Sequence, residues 1–172
     1  MTPSRVAVAA FGIALTFAQP AAAQREPDRD SHLARYGLSV TLPATWHGTV
    51  YRRTGGLPIL HVANFRLPSG DDDTGSRAIK KMRKTSVLIV LMESRGTIGF
   101  HWRKLTGPPQ VTRRDFLPLF KGVPPTHAFA RVLFTTRQRY FQLWVQFGVR
   151  PAPARLLKQA NRLLITLKVA RS

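Results

Sequence analysis

The chain has 172 residues with 44% hydrophobic content, enough for one domain-sized core, and no cysteine, which excludes disulfides, thiolate metal sites and a lipid-anchored N-terminal Cys. Lys and Arg number 27 against 8 Asp and Glu, a formal charge of +19 at pH 7. A charge of that size bears on partners and solubility rather than on fold, and it points to anions; the plentiful Arg, Ala and Pro, as in proteins of GC-rich genomes, offer a compositional origin for part of it.

Arg5, the apolar run Val6 to Phe17 and the small residues Ala21-Ala22-Ala23 have the three parts of a secretory signal, with cleavage between Ala23 and Gln24. Residues 1–23 are therefore expected to be removed, leaving a secreted or envelope protein. No other run reaches the ~18 apolar residues of a membrane span. Residues 24–35 (QREPDRDSHLAR) are polar and mixed in charge, and read as a disordered tether. Residues 36–172 read as a single globular domain.

Tyr36, Leu38, Val40 and Leu42 alternate with small or polar residues, the pattern of a strand with one buried face that Pro43 stops. Gly48 to Arg53 and Leu57 to Phe65 follow as strands two and three, and the three are expected to form a meander. Pro68 to Ser76, with three consecutive Asp, is a loop by composition, and Ser76 is placed to cap a short helix over Arg77 to Lys84. Ser86 to Glu93 is nearly all apolar and β-branched, so it reads as a central strand buried on both faces. Thr112 can cap a helical turn from Arg113 to Phe116.

Thr126 to Gly148 then reads as a long hairpin. One register pairs Phe134 with Phe141, Val132 with Leu143, Ala130 with Val145 and Ala128 with Phe147, all apolar, and a one-residue slip would scramble it. The other face carries Phe129, Arg131, Tyr140 and Trp144, and is either half wet or covered by something amphipathic; these four are the candidate interface. After prolines 151 and 153, Leu156, Leu157, Ala160, Leu163 and Leu164 form one apolar helical stripe, opposite Arg155, Lys158 and Arg162. Leu167 and Val169 can add a last short strand.

Motif spacing argues against an enzyme. The histidines 32, 47, 61, 101 and 127 form no HxH, HxxxH or HExxH, no Ser stands in GxSxG, and no Gly pattern cradles phosphate. The position twelve from Asp71 is Met82 rather than the Glu of a calcium loop. No catalytic residue, metal or cofactor is expected; a hydrolase remains only as an alternative built around Asp115 or His127. The basic clusters are the remaining chemistry, with Lys80, Lys81, Arg83, Lys84, Arg155, Lys158 and Arg162 as candidate ligands of an anionic wall polymer or lipid. Nucleic acid is the less natural anion for an exported chain.

The opening from Tyr36 to Trp46, the strand Arg139 to Gly148 and the close Asn161-Arg162-Leu163-Leu164 with Leu167-Lys168-Val169 resemble small secreted actinobacterial proteins, similar in plan to the PsbP-like α/β/α sandwich. The resemblance implies an α+β fold, a mostly antiparallel sheet of about six strands with helices on both sides. It also implies an accessory, adaptor or assembly role, and carries no catalytic residues; the expected partner is an envelope protein or, from the basic clusters, an anionic wall polymer or lipid surface. The chain departs from envelope lipoproteins of this plan in its excess of Lys and Arg and its lack of a lipidation Cys.

Overall fold

The computed structural model describes residues 30–96 and 99–171, so the expected signal and its cleavage site lie outside the described residues. The elements run β1 (Ser31–Arg35), β2 (Leu38–Leu42), β3 (His47–Tyr51), β4 (Ile59–Ala63), α1 (Ser76–Lys81) and β5 (Val87–Ser94). They continue with β6 (Arg103–Lys104), a 3-10 turn (Arg113–Asp115), β7 (Phe116–Leu117), β8 (Ala128–Thr136), β9 (Arg139–Phe147), α2 (Ala154–Ile165) and β10 (Lys168–Val169). The fold is α+β. A seven-stranded sheet has the order β3-β4-β5-β9-β8-β6 with β7 also on β8, and a three-stranded sheet has the order β1-β2-β10. All pairings are antiparallel except β6 on β8.

The hairpin adopts the register that its apolar pairs demand, from Ala128 opposite Phe147 to Phe134 opposite Phe141. Phe134, Phe141, Leu143, Val145 and Phe147 are fully buried, so a slip would expose four or more large apolar side chains at about 1.5–3 kcal/mol each. β5 lies between β4 and β9 and is buried on both faces, as a nearly continuous apolar run requires. Its Val87, Ile89 and Leu91 join one core with β2, the hairpin and α2, while Leu88 and Val90 join a second core with Ile59, Ala63 and the α1 residues Ala78 and Ile79. The two helices therefore cover opposite faces of the large sheet, and the small sheet lies on the α2 side. At the start of β5 the backbones come close: a Cβ on Gly148 would overlap the Arg83 carbonyl oxygen, so only Gly fits there.

Three expectations are corrected. Residues 31–35 of the supposed tether form β1, an outer strand paired along its whole length with β2 and turned by Tyr36 and Gly37, both at positive φ. Backbone pairing to the free edge of β2 orders this polar segment, and only Leu33 contributes an apolar contact to the core. β2 does not start a meander with β3; after the Pro43–Trp46 turn the chain changes sheets, and the meander is β3-β4-β5. Periodicity records which side of a strand is buried, not which edge it pairs. Finally, α1 stops at Lys81, because Met82 is extended, and its N-cap is Gly75 rather than Ser76.

Candidate functional site

Five acids lie beyond the N-terminal segment, and each serves the fold. Asp71 accepts the backbone N–H groups of Arg77 at 2.9 Å and Ala78 at 3.0 Å, capping α1 from outside the helix. Asp72 Oδ1 accepts the N–H of Thr74 at 3.0 Å, the Thr74 hydroxyl at 2.8 Å and the Ser76 N–H at 2.9 Å. Partial burial works against the ionised Asp72, but the donors of Ser76 and Thr74 outweigh it and hold its carboxyl below the usual range. Asp73 takes Arg53 Nε at 2.6 Å. Glu93 binds Arg139 through two nitrogens, at 2.9 and 2.6 Å. Asp115 accepts the Thr112 N–H and hydroxyl at 2.7 and 2.8 Å in a capping box, with Arg103 on its other oxygen. The Asp run is thus a helix cap. Asp115 is buried, and no hydrogen bond joins it to His127, whose pKa burial lowers.

His61 is the titratable group most deeply enclosed. It is 1% exposed, with Nε2 3.1 Å from the Asp73 carbonyl oxygen, to which it donates, and 3.5 Å from the Tyr51 hydroxyl. Burial lowers its pKa, and burial together with the Asp73 charge pushes Tyr51 up to about 12. Both are neutral at pH 7 and pin the Asp71–Asp73 loop to β3 and β4. Among the described residues no cluster of three or more His, Asp or Glu could hold a metal ion, and no helix is long and apolar enough to cross a membrane.

With the acids engaged, most exposed cations stand without counter-charges among the described residues, Arg53 and Arg103 being the exceptions. Lys80, Lys81, Arg83 and Lys84 are exposed on α1 and the turn after it, and Arg155, Lys158 and Arg162 are exposed on α2. None of the seven forms an ion pair among the described residues. They are two patches rather than one, because α1 and α2 pack on opposite faces of the large sheet.

Only Lys158 among them borders a substantial cavity, an open groove of about 740 Å³ between α2 and the segment holding the 3-10 turn and β7. Its walls combine Arg113, Arg150 and Lys158 with Phe116, Leu117 and Leu157. One wall is fixed by Asn161, which donates to the Val111 carbonyl and accepts the Val111 N–H, both at 2.9 Å. The other is fixed by the Thr112–Asp115 capping box and by Phe116, whose ring lies 5.7 Å from that of Phe147. Pro153, the N-cap of α2, provides no side-chain cap, and the first turn holds no acid. Arg113 belongs to a basic pair with Arg114 and Arg150 to no cluster, and they meet Lys158 only through the fold.

Against known proteins the chain matches no family model, no curated sequence and no solved structure.

The four candidate interface residues do not form an open face. Phe129 is 2% exposed because the Phe120 ring stacks on it at 4.3 Å. Trp144 stands edge-on to both rings, at 5.1 Å from Phe120 and 5.5 Å from Phe129. Arg131 places its guanidinium 6.0 Å from the Phe120 ring. Tyr140 stays part exposed and meets Trp102 edge-on at 5.3 Å. The cover the hairpin needed comes from the chain itself, from the segment carrying Phe120. Beneath it the fully buried Gln146 amide and Trp144 Nε1 have no hydrogen-bond partner among the described residues.

Proposed function

We propose that this chain is an exported, non-enzymatic binding domain of the bacterial envelope, held to an anionic polymer or lipid surface by its unpaired Lys and Arg side chains. The observation that carries the reading is the division of the charges. The carboxylates from Asp71 to Asp115 cap helices or close ion pairs, whereas the seven candidate cations on and beside α1 and α2 form no ion pair among the described residues. Carboxylates so engaged are poor candidates for acid–base catalysis, which needs them free to exchange protons in a cleft. The finer likeness to a PsbP-like sandwich belongs with this proposal and agrees with helices on both faces of an antiparallel sheet. An adaptor that docks on an envelope protein is the neighbouring reading; the self-covered hairpin face lends it less support.

The test is binding of the folded protein to anionic vesicles, neutral vesicles and isolated wall polymer at about 50 and 200 mM salt. Steep weakening with salt, on the anionic targets alone, is expected from screening. Replacing Lys80, Lys81, Arg83 and Lys84 together with Gln should reduce binding without lowering stability, since all four side chains are exposed. Equal binding to neutral and anionic targets would reject the proposal.

A further inference from the structure

The groove beside α2 differs from the α1 patch in being two-sided. A polymer phosphate or lipid headgroup lying on a flat cationic face needs no apolar wall. Here Arg113, Arg150 and Lys158 surround a concavity whose remaining surface includes Phe116, Leu117 and Leu157. None of the three cations forms an ion pair or side-chain hydrogen bond among the described residues, so each is free to meet a ligand. A pocket of several hundred Å³, mainly apolar with a few convergent polar groups, is the usual form of a small-molecule site.

We propose that this groove binds a small amphiphile: an anionic oxygen head, phosphate or carboxylate, joined to an aliphatic body. The cations bind the head and the uncapped first turn of α2 adds a favourable field, because anions are stabilised near a helix N-terminus. Phe116, Leu117 and Leu157 take the body, removing its surface from water. The walls are fixed before the ligand arrives, by the Asn161–Val111 pair on one side and the Thr112–Asp115 box on the other, so little ordering accompanies binding. The inference rests on the reading above only in that the ligand is anionic; it adds a defined site and an apolar requirement.

The experiment is calorimetric titration of the folded protein with dodecyl phosphate and dodecanoate below their aggregation concentrations, with inorganic phosphate and a neutral dodecyl glycoside as comparators. One-to-one binding of the anionic amphiphiles is expected, with a negative heat-capacity change marking apolar burial. The two head groups distinguish a phosphate site from a carboxylate site. Inorganic phosphate and the glycoside should each bind at least about ten-fold more weakly, for want of the apolar body or of the charge-assisted contacts. R113Q/R150Q/K158Q should weaken binding by about ten-fold or more, while the quadruple Gln variant of Lys80 to Lys84 should bind as the parent does. A single Lys158→Glu variant guards against misfolding of the triple one, since Lys158 is exposed. Inorganic phosphate binding as tightly as dodecyl phosphate, or groove variants binding normally, would overturn the proposal. So would an absence of amphiphile binding; if salt-sensitive attachment to anionic vesicles persisted, the groove would fail and the charge reading would stand.

Discussion

Replacing Arg139 with Met should cost about 3–5 kcal/mol of folding stability, the usual cost of leaving one member of a buried ion pair uncompensated. The pair is well enclosed: the Arg139 side chain is 8% exposed and that of Glu93 13%. Arg139 also reaches outside the large sheet. Its Nη1 donates to the carbonyls of Gly37 and Ala170, both at 3.3 Å, and its Nη2 to that of Tyr36 at 3.4 Å, tying β9 to the end of the small sheet where the β1–β2 turn meets the residue after β10. Gly37 is part of the same fit, since it has φ +73 and a Cβ there would stand 2.8 Å from Nη1. In E93M/R139M the stranded charge is gone, and apolar replacements of a buried pair are often neutral. What remains lost is three long hydrogen bonds, at most about 1 kcal/mol each. The double variant should therefore be more stable than the single one, with a remaining loss of at most about 3 kcal/mol. Urea unfolding followed by Trp fluorescence measures both, and for a chain of this size the single variant should melt roughly 10 °C lower. A loss below about 1 kcal/mol in R139M, or a double variant no better than the single, would refute the reasoning.

Gln146 and His61 give two further tests. Gln146→Leu should stabilise the protein by about 1–3 kcal/mol, because it removes a fully buried amide that has no partner among the described residues; destabilisation on urea unfolding would mean that the amide is satisfied in solution. His61 has its pKa lowered, so between its folded value and the ordinary 6.5 the unfolded chain binds more protons than the folded one. Stability should be full near pH 7 and above, fall as pH drops through about 6.5, and level off below the folded pKa. His127 is lowered in the same direction and adds to the slope. Stability measured between about pH 5 and 8 should become flatter in H61Q/H127Q, and an unchanged slope would place the acid sensitivity elsewhere.

The strands legible from sequence are those whose burial imprints a period. β2 alternates, β5 is continuously apolar, and the hairpin has two faces whose pairs agree in only one register. The Thr112–Asp115 cap was legible in part for a related reason: its partners are three residues apart, and local hydrogen bonds leave local signatures. β1 was not legible, because an outer strand held by backbone pairing needs no particular side chains. The hairpin's outer face was ambiguous, since Phe120, which covers Phe129, lies in the irregular segment before β8 and carries no pattern pointing to it.

The same division runs through the candidate site. Sequence by itself determined the sign and size of the charge, the absence of thiol chemistry and of metal-ligand spacing, and the cationic side of α2, because composition and helical period are properties of neighbours along the chain. Only the tertiary structure decided that the Asp run caps a helix, that the basic clusters divide between two faces, and that Arg113, Arg150 and Lys158 border one groove with Phe116, Leu117 and Leu157. The cap is local, but its bonds are set by the loop geometry; the last two facts join residues from elements far apart in sequence, and what brings them together is burial of the two cores on either side of β5, a constraint on the whole chain that no local pattern contains.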